Sequence, residues 1–144
     1  VFAPGMHELG TPVYPRRFFE VAMAAFGARA RILVVRVGGV AQAASLVLRH
    51  GASVEVPWAA ATPAAKRNAI NMRAYWEMLR WAIGEGASAF DFGRCTPDSG
   101  THRFKAQWGA QPVQLYWHYG LAPGRELPKL NHSNPKYARA ADLW

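Results

Sequence analysis

The sequence predicts a mixed α/β domain in which helices pack on a sheet, and two observations support this. The first is a β-branched run over residues 31–37, followed by two further predicted strands over residues 40–48 and 53–58, the last with alternating Val54, Val56 and Trp58. Tight turns at Gly38-Gly39 and at residues 50–52 separate these runs and favour an antiparallel meander. The second is an alternation of further elements: a helix to residue 85, a strand over 88–93, a short helix over 101–108 and a last strand over 112–119. The sequence therefore predicts a mixed sheet with helices packed on it.

The helices are predicted from apolar residues at helical spacing. Residues 15–26 have this spacing, and Gly27 is expected to end that helix. The longer helix is expected to begin at Asn68 or Asn71, because either side chain can cap it. Its apolar stripe is expected to consist of Met72, Tyr75, Trp76, Leu79, Ala82 and Ile83. Segments rich in glycine, proline or small residues predict an N-terminal arm over residues 1–14, a loop over 59–66 and an extended tail over 120–144.

Length and composition fit one domain over residues 1–144. The chain has 17 Lys and Arg against 9 Asp and Glu, which gives a net charge of +8. The simplest partner for such a domain is an anion: a nucleic acid, a phosphorylated small molecule or a membrane surface. The single cysteine, Cys95, excludes an internal disulfide, and the histidines show no metal-ligand spacing. We therefore expect no metal.

The sequence contains no apolar run near the roughly 20 residues of a membrane span. Its first residues lack the pattern of a secretory signal. We therefore expect a cytoplasmic protein with no membrane span. Because the sequence does not begin with Met, we also expect a piece of a longer protein.

The residues best suited to chemistry concentrate in residues 90–109. Arg94, Arg103 and Lys105 lie there near a strand end and a helix start, where three cations suit a phosphate or a developing oxyanion. Solvated surface charges are the alternative. Asp91 is expected either to act as a general base or to neutralise Arg94. Neither a phosphate-binding loop nor a G-x-S-x-G elbow is present, which disfavours P-loop nucleotidases and α/β-hydrolases.

Several strings in this order resemble the motifs of one family. Residues 104–109, Phe-Lys-Ala-Gln-Trp-Gly, resemble the F-K-x-x-[FW]-G signature of FemAB-type transferases. Residues 9–15, 71–76, 90–94 and 97–100 match further motifs at the expected distances. Over residues 9–119 the chain resembles the C-terminal part of FemAB-related proteins of the PEP-CTERM/exosortase system, in the BioF2-like branch of the GNAT acyltransferase superfamily.

This resemblance implies a GNAT-like fold and an acyltransferase linked to the cell envelope or to exopolysaccharide. Full-length members carry two such domains in tandem, which implies an N-terminal GNAT-like domain as a partner. Characterised FemAB relatives transfer an aminoacyl group from tRNA to an amine of a peptidoglycan precursor. The resemblance thus implies an anionic acyl donor, either acyl-CoA or aminoacyl-tRNA, and an amine-bearing acceptor.

The sequence departs from the family pattern at several positions. Ser is usual where Cys95 stands, and Tyr is usual where His102 stands. The Gly-rich pyrophosphate loop of acetyl-CoA-binding members is missing before Asn71, which weakens acetyl-CoA as the donor.

The expected mechanism is direct attack of an amine on an activated acyl carbonyl, with no covalent enzyme intermediate and no tightly bound cofactor. The resemblance places Lys105 near the reacting groups, where it would stabilise the oxyanion or a donor phosphate. Arg94 and Arg103 would bind anionic groups, and Asp91 or Glu55 would take the amine proton. The remaining substrate-binding candidates are Asn71, Tyr75 and Phe104.

Two other interpretations stay open at this point. In the first, the chain is a non-catalytic basic module that binds RNA or a polyanionic glycan through Trp117, Tyr119, Arg103 and Lys105. In the second, it is a structural domain whose partner domain holds the site, in a cleft between the two. Salt dependence separates an electrostatic binder from an enzyme.

Overall fold

The structure, a computed structural model, describes residues 1–8 and 14–127, apart from the side chains of residues 6–8 and of Lys66. The chain forms two compact units, Val1–Arg94 and Cys95–Trp144. Parts of the expected arm and tail, residues 9–13 and 128–144, lie outside the described residues. One domain over residues 1–144 stays a prediction.

Within the described residues, four strands form one sheet in the order β1-β2-β3-β4. They are β1 (Ala30–Val37), β2 (Val40–His50), β3 (Ser53–Ala61) and β4 (Ala89–Asp91). The first three are antiparallel neighbours, as predicted, and β4 lies parallel to β3. The predicted mixed α/β fold is confirmed.

An additional residue in β3 changes its register against β2. Leu48 pairs with Glu55 but Leu46 pairs with Trp58, so β3 takes three steps where β2 takes two. Pro57 lies in this stretch, and a bulge tolerates a residue that has no N–H to donate. Since bulges bend a strand, β3 bends at this point, and residues 58–61 stay paired with β2.

Helix α2 (Arg16–Phe26) confirms the predicted helix and packs on one face of the sheet. Phe18 and Phe19 meet the indole of Trp58 edge-on, with ring centroids 5.2 and 6.0 Å away. Such pairs contribute ~0.5–1.5 kcal/mol each beyond their burial. A 3₁₀ turn at Gly27–Arg29 ends the helix at the predicted glycine and leads into β1.

The predicted arm over residues 1–14 is wrong in its first part, where helix α1 (Phe2–Glu8) forms. Pro4 lies in the first turn, where a missing N–H breaks no intrahelical bond. Gly5 is buried, and a Cβ built on it would lie 2.9 Å from the Cβ of Ala60. This glycine therefore permits close approach of α1 to β3 and does not act as a helix breaker.

The predicted loop over residues 59–66 is also wrong. Strand β3 continues to its end at Ala61, and helix α3 (Pro63–Arg67) follows. The hydroxyl of Thr62 caps α3 by accepting the N–H of Ala65 at 3.1 Å. A proline at the first helical position supports this start.

Helix α4 (Ile70–Gly84) crosses from β3 to β4 and packs on the sheet face opposite α2. Its buried residues are Ala74, Tyr75, Met78 and Ala82. The predicted stripe is therefore partly wrong, because Trp76 and Ile83 are 51% and 74% exposed. On this face, Ala74 packs with Ala43 and Ala61 of the sheet and with Ala65 of α3. Small side chains on both elements let helix and sheet approach closely, and the bulky residues turn outward.

The second unit contains helix α5 (Gly100–Ala106), where the sequence predicts a helix over 101–108. The predicted strand over 112–119 is wrong, because residues 110–122 form neither helix nor strand. A strand needs a neighbour for its ladder of hydrogen bonds, and no described segment pairs with these residues.

Candidate active site

An open strand edge is the main feature of the site. Strand β4 pairs with β3 only at Ser53, Val54 and Glu55. Strand β3 continues over residues 56–61, and no described strand pairs with that edge. The two parallel strands therefore part beyond Glu55 and leave main-chain groups of β3 facing a gap.

Hydrogen bonding to β2 shows which groups face this gap. The N–H of Thr62 donates to the carbonyl of Gln42 at 2.9 Å. Because pairing alternates along an antiparallel ladder, residues 58 and 60 bond toward β2, whereas Ala59 and Ala61 direct their N–H and C=O away from it. Their main-chain groups thus make no bond to β2; Ala59 is half-buried and Ala61 is buried.

The turn that ends β4 is held by Asp91. Its Oδ1 accepts the N–H of Gly93 at 2.7 Å, and Gly93 has a φ of 73°. A Cβ on this glycine would lie 3.5 Å from the carbonyl oxygen of Val56. Asp91, predicted as a general base, therefore also stabilises the turn after β4, where the chain stops running beside β3.

Two predicted proton acceptors lie side by side. Glu55 and Asp91 are register partners on β3 and β4, and both are exposed. They line a depression of about 360 Å³ together with Phe26, Leu48, His50 and Ser53. His50 was not predicted, since its sequence position indicates only a turn.

The start of α4 follows β3 after the short helix α3. Neither predicted cap is used: Ala69 is the N-cap, without a side-chain bond, and has a φ of 55°. Asn68 instead ends α3, and Asn71 is half-buried in the first turn of α4. Arg67 is exposed beside this helix start. The N–H groups of a first helical turn and a nearby guanidinium together suit an anion.

Tyr75 lies in the core of the first unit. It is 8% exposed, and its ring stacks on Phe92 with centroids 5.7 Å apart and planes 6° from parallel. Burial raises the pKa of the Tyr75 phenol above 10.0. The phenol therefore stays protonated at neutral pH and can donate a hydrogen bond.

Helix α5 carries three of the predicted site residues. Ser99 caps it by accepting the N–H of His102 at 3.1 Å. Arg103 is exposed and donates to the carbonyl of Asp98 at 2.8 Å. Lys105 is only 6% exposed, and Phe104 is half-buried. The two cations of α5 thus have different surroundings, and Arg103 helps to hold the turn before the helix.

The structure brings together some predicted residues and distinguishes others. Glu55 and Asp91 adjoin, and Tyr75 stacks on the residue after Asp91. Arg94 and Arg103 are exposed, whereas Lys105 is buried. The sequence did not indicate the main-chain groups of β3, because no side-chain pattern marks them. It did not indicate Arg67 either, because only the position of that residue before a helix points to it.

The described residues contain no group of three or more His, Cys, Asp or Glu that could hold a metal ion. In the same part of the chain, no helix has the length and apolar character needed to cross a membrane.

A mixed four-stranded sheet with helices packed on it defines a mixed α/β domain. Comparison with family models is more specific, since the model of the acetyltransferase (GNAT) domain matches residues 3–106. The chain therefore belongs to the GNAT acetyltransferase family. No curated protein sequence matches it.

Solved structures share the fold at low sequence identity. The apo aminoglycoside 6'-N-acetyltransferase AAC(6')-IG from Acinetobacter haemolyticus gives a TM-score of 0.58 at 12% identity, over 74% of this chain and 79% of that chain. AAC(6')-Iy in complex with the bisubstrate analogue CoA-S-monomethyl-acetylneamine gives 0.60 at 11%, over 82% and 88%. A mutant of the BH1408 protein from Bacillus halodurans gives 0.65 at 11%, over 84% and 92%.

Proposed function

We propose that this GNAT domain transfers an acyl group from an acyl-CoA thioester to an amine, with the donor bound along the open edge of β3. The observation that carries the proposal is the parting of β3 from β4 beside the start of α4. The gap would offer main-chain hydrogen bonds and the helix start would offer an anion site, so one extended donor molecule would contact both.

The chemical groups of coenzyme A suit these two parts of the site. Its pantetheine arm carries two amides, which would pair with the outward N–H and C=O of Ala59 and Ala61 as an added strand does. Its pyrophosphate would meet the first turn of α4 and the guanidinium of Arg67. Asn71, on that turn, would donate to the same group.

The missing Gly-rich loop does not exclude this donor. Ala69 adopts the left-handed conformation that glycine favours, so the backbone before α4 turns as a glycine would allow. A non-glycine residue in this conformation costs ~1–2 kcal/mol, and such strain occurs at ligand sites.

The reaction would proceed in one displacement. The acceptor nitrogen attacks the thioester carbonyl carbon, the C–N bond forms and the C–S bond breaks, and CoA leaves as a thiolate. The proton lost by the amine passes to Asp91 or Glu55, and a proton is returned to the thiolate. Lys105 would stabilise the oxyanion, and Arg94 and Arg103 would bind anionic groups of donor or acceptor.

The FemAB-type motifs support a finer proposal. In it the donor is aminoacyl-tRNA, the acceptor amine belongs to an envelope or exopolysaccharide precursor, and a second GNAT-like domain completes a cytoplasmic enzyme. Tyr75 and Phe104 would then border the acyl group. This proposal rests on residues 71–76, 90–94 and 104–109 and keeps the same displacement chemistry.

Titration of acetyl-CoA by calorimetry tests the donor site. We expect Arg67→Gln to weaken binding by about tenfold, the scale of one charge-assisted hydrogen bond. Arg17→Gln, which removes another exposed charge from α2, should leave binding unchanged. Ala59→Pro should also weaken binding, because it removes an N–H that the β2–β3 ladder does not use.

Equal effects of Arg67→Gln and Arg17→Gln would contradict the placement of the pyrophosphate. Absence of acetyl-CoA binding by the folded wild type would contradict the CoA proposal. Binding of charged tRNA by that same protein would then favour the aminoacyl donor. The alternative of a purely electrostatic RNA or glycan module predicts affinity that falls steeply with salt and no acyl transfer.

A further inference from the structure

The depression beside Glu55 and Asp91 is larger than the acyl transfer step requires. It measures about 360 Å³ and continues from the two carboxylates toward the turn between β2 and β3. Small-ligand pockets have volumes of roughly 300–1,000 Å³. Of its walls, the proposed reaction uses only the two carboxylates. The remaining walls adjoin the point where the amine reacts, so they are placed to contact the rest of the acceptor.

Strand register arranges the walls of the depression in two rows across the sheet. In the first row, Asp91 of β4 is the partner of Glu55 on β3, and Glu55 is the partner of Leu48 on β2. In the second row, two residues further along, Ser53 is the partner of His50. Opposite residues share one face of a sheet, as do residues two apart on a strand. The two rows therefore line the same depression and lie about 7 Å apart.

The two rows offer different chemistry to a ligand. Glu55 and Asp91 carry carboxylates, whereas Ser53 and His50 carry a hydroxyl and an imidazole, which both donate and accept hydrogen bonds. Phe26, the last residue of α2, adds an apolar wall. The described residues that line the depression include no Lys or Arg. A ligand would thus meet negative charge at one end, neutral polar groups at the other and apolar surface along its length.

We propose that the depression binds the amine-bearing end of the acyl acceptor, and that this end carries a neutral polar group, such as a hydroxyl or an amide, about 7 Å from the reacting nitrogen. The inference rests on the proposed acyl transfer for its reaction. The nitrogen lies at Glu55 and Asp91, where β3 and β4 part. The polar group lies at Ser53 and His50, and the carbon chain between them packs on Phe26.

The same walls disfavour other amines. A carboxylate on the acceptor would meet the negative charge of Glu55 and Asp91, so amino acids should bind poorly. An amine without a polar group would displace water from Ser53 and His50 without replacing its hydrogen bonds. Because His50 is exposed, this second preference is modest, about threefold to tenfold.

Three probes of one chain length test the site: 5-amino-1-pentanol, pentylamine and 5-aminopentanoate. Binding to the whole chain is measured by ligand-detected NMR without an acyl donor, so the result does not depend on catalysis. We expect 5-amino-1-pentanol to bind about threefold to tenfold more tightly than pentylamine, and 5-aminopentanoate to bind most weakly. Release of CoA from acetyl-CoA should rank the three probes in the same order.

Substitutions assign the contacts. His50→Leu and Ser53→Ala should each reduce the advantage of 5-amino-1-pentanol over pentylamine. Glu55→Gln should weaken binding of both amines by about tenfold, the scale of one charge-assisted hydrogen bond. Glu20→Gln, which removes an exposed carboxylate from α2, is the matched control and should change neither the affinity nor the preference.

Equal binding of 5-amino-1-pentanol and pentylamine, or a preference that both His50→Leu and Ser53→Ala retain, would overturn this inference. Equal effects of Glu55→Gln and Glu20→Gln, or a different order in CoA release, would do the same. Failure of the proposed function has another result: the amines then bind in the expected order, and the folded protein releases no CoA with any of them.

Discussion

Lys105, which the sequence indicates as a site residue, is also buried in the structure. Lysine is almost never fully buried unless its charge is compensated, yet Lys105 is 6% exposed on a short helix. The surrounding residues hold a buried ammonium group in a fixed position. A group that stabilises a developing oxyanion needs such a fixed position. Burial also means that truncation would affect packing, so the test needs a side chain of similar length.

Lys105→Met keeps that length and removes the charge. We expect release of CoA from acetyl-CoA in the presence of amines to fall by at least about a hundredfold, the scale of losing one oxyanion donor. Acetyl-CoA affinity should change far less. Arg125→Met, an exposed site in the same unit, serves as the control for loss of one charge. Unchanged turnover by a folded Lys105→Met protein would exclude the assigned role.

Single residues were predicted from the sequence to different extents. Asp91 and Glu55 were named there as proton acceptors, and the structure makes them register partners. Trp76 and Ile83 were placed in the core and are exposed, because an apolar stripe does not determine the rotation of a helix. That rotation follows from the small residues of the facing strands, which lie far away in sequence.

Among the elements, the packing of α1 on β3 depends on one missing methyl group. Gly5→Ala should destabilise the protein by ~1–3 kcal/mol, as overpacking does, because the new Cβ would lie 2.9 Å from that of Ala60. Gly84→Ala, at the end of α4 with no atom within 4 Å of its built Cβ, should instead stabilise by up to ~1 kcal/mol. Urea denaturation measures both changes.

A compensating substitution sharpens this test. Ala60→Gly removes the methyl that the new Cβ meets, so the double variant should recover part of the loss caused by Gly5→Ala. Additive effects in this cycle would show that α1 does not pack on β3 through these residues.

The elements differ in how far local sequence determines them. The meander and α2 were predicted because alternation, tight glycine turns and helical spacing are local signals. Helices α1 and α3 were missed because proline, glycine and alanine were interpreted as loop residues, whereas in the structure Thr62 caps α3 and α1 packs against Ala60. The strand over 112–119 was predicted from pattern alone, and pattern does not supply a neighbour.

For the whole molecule, Tyr75 makes the free energy of unfolding depend on pH in the alkaline range. Burial raises the pKa of its phenol above 10.0, so the unfolded chain loses this proton before the native protein does. The unfolded state therefore binds fewer protons above about pH 10, and the free energy of unfolding falls as pH rises toward the native pKa. Tyr75→Phe should remove this part of the decline.

Urea denaturation of wild type and Tyr75→Phe between about pH 7 and pH 11 measures the difference. Below about pH 9 the difference in free energy of unfolding between the two proteins should be constant, and its size gives what the protonated hydroxyl itself contributes to stability. A difference that stays constant through the alkaline range would show that the phenol ionises equally in both states.

The open edge of β3 also has a consequence for aggregation of the protein. An unpaired strand edge is a template for another strand, and proteins normally blunt such edges with charge or proline. Here Pro57 is the residue of β3 that offers no N–H to such a strand, and the outward groups beyond it belong to Ala59 and Ala61. A donor that occupies this edge would act as its cover as well as its reactant, so scarcity of that donor would leave the protein prone to aggregation at the place where it works.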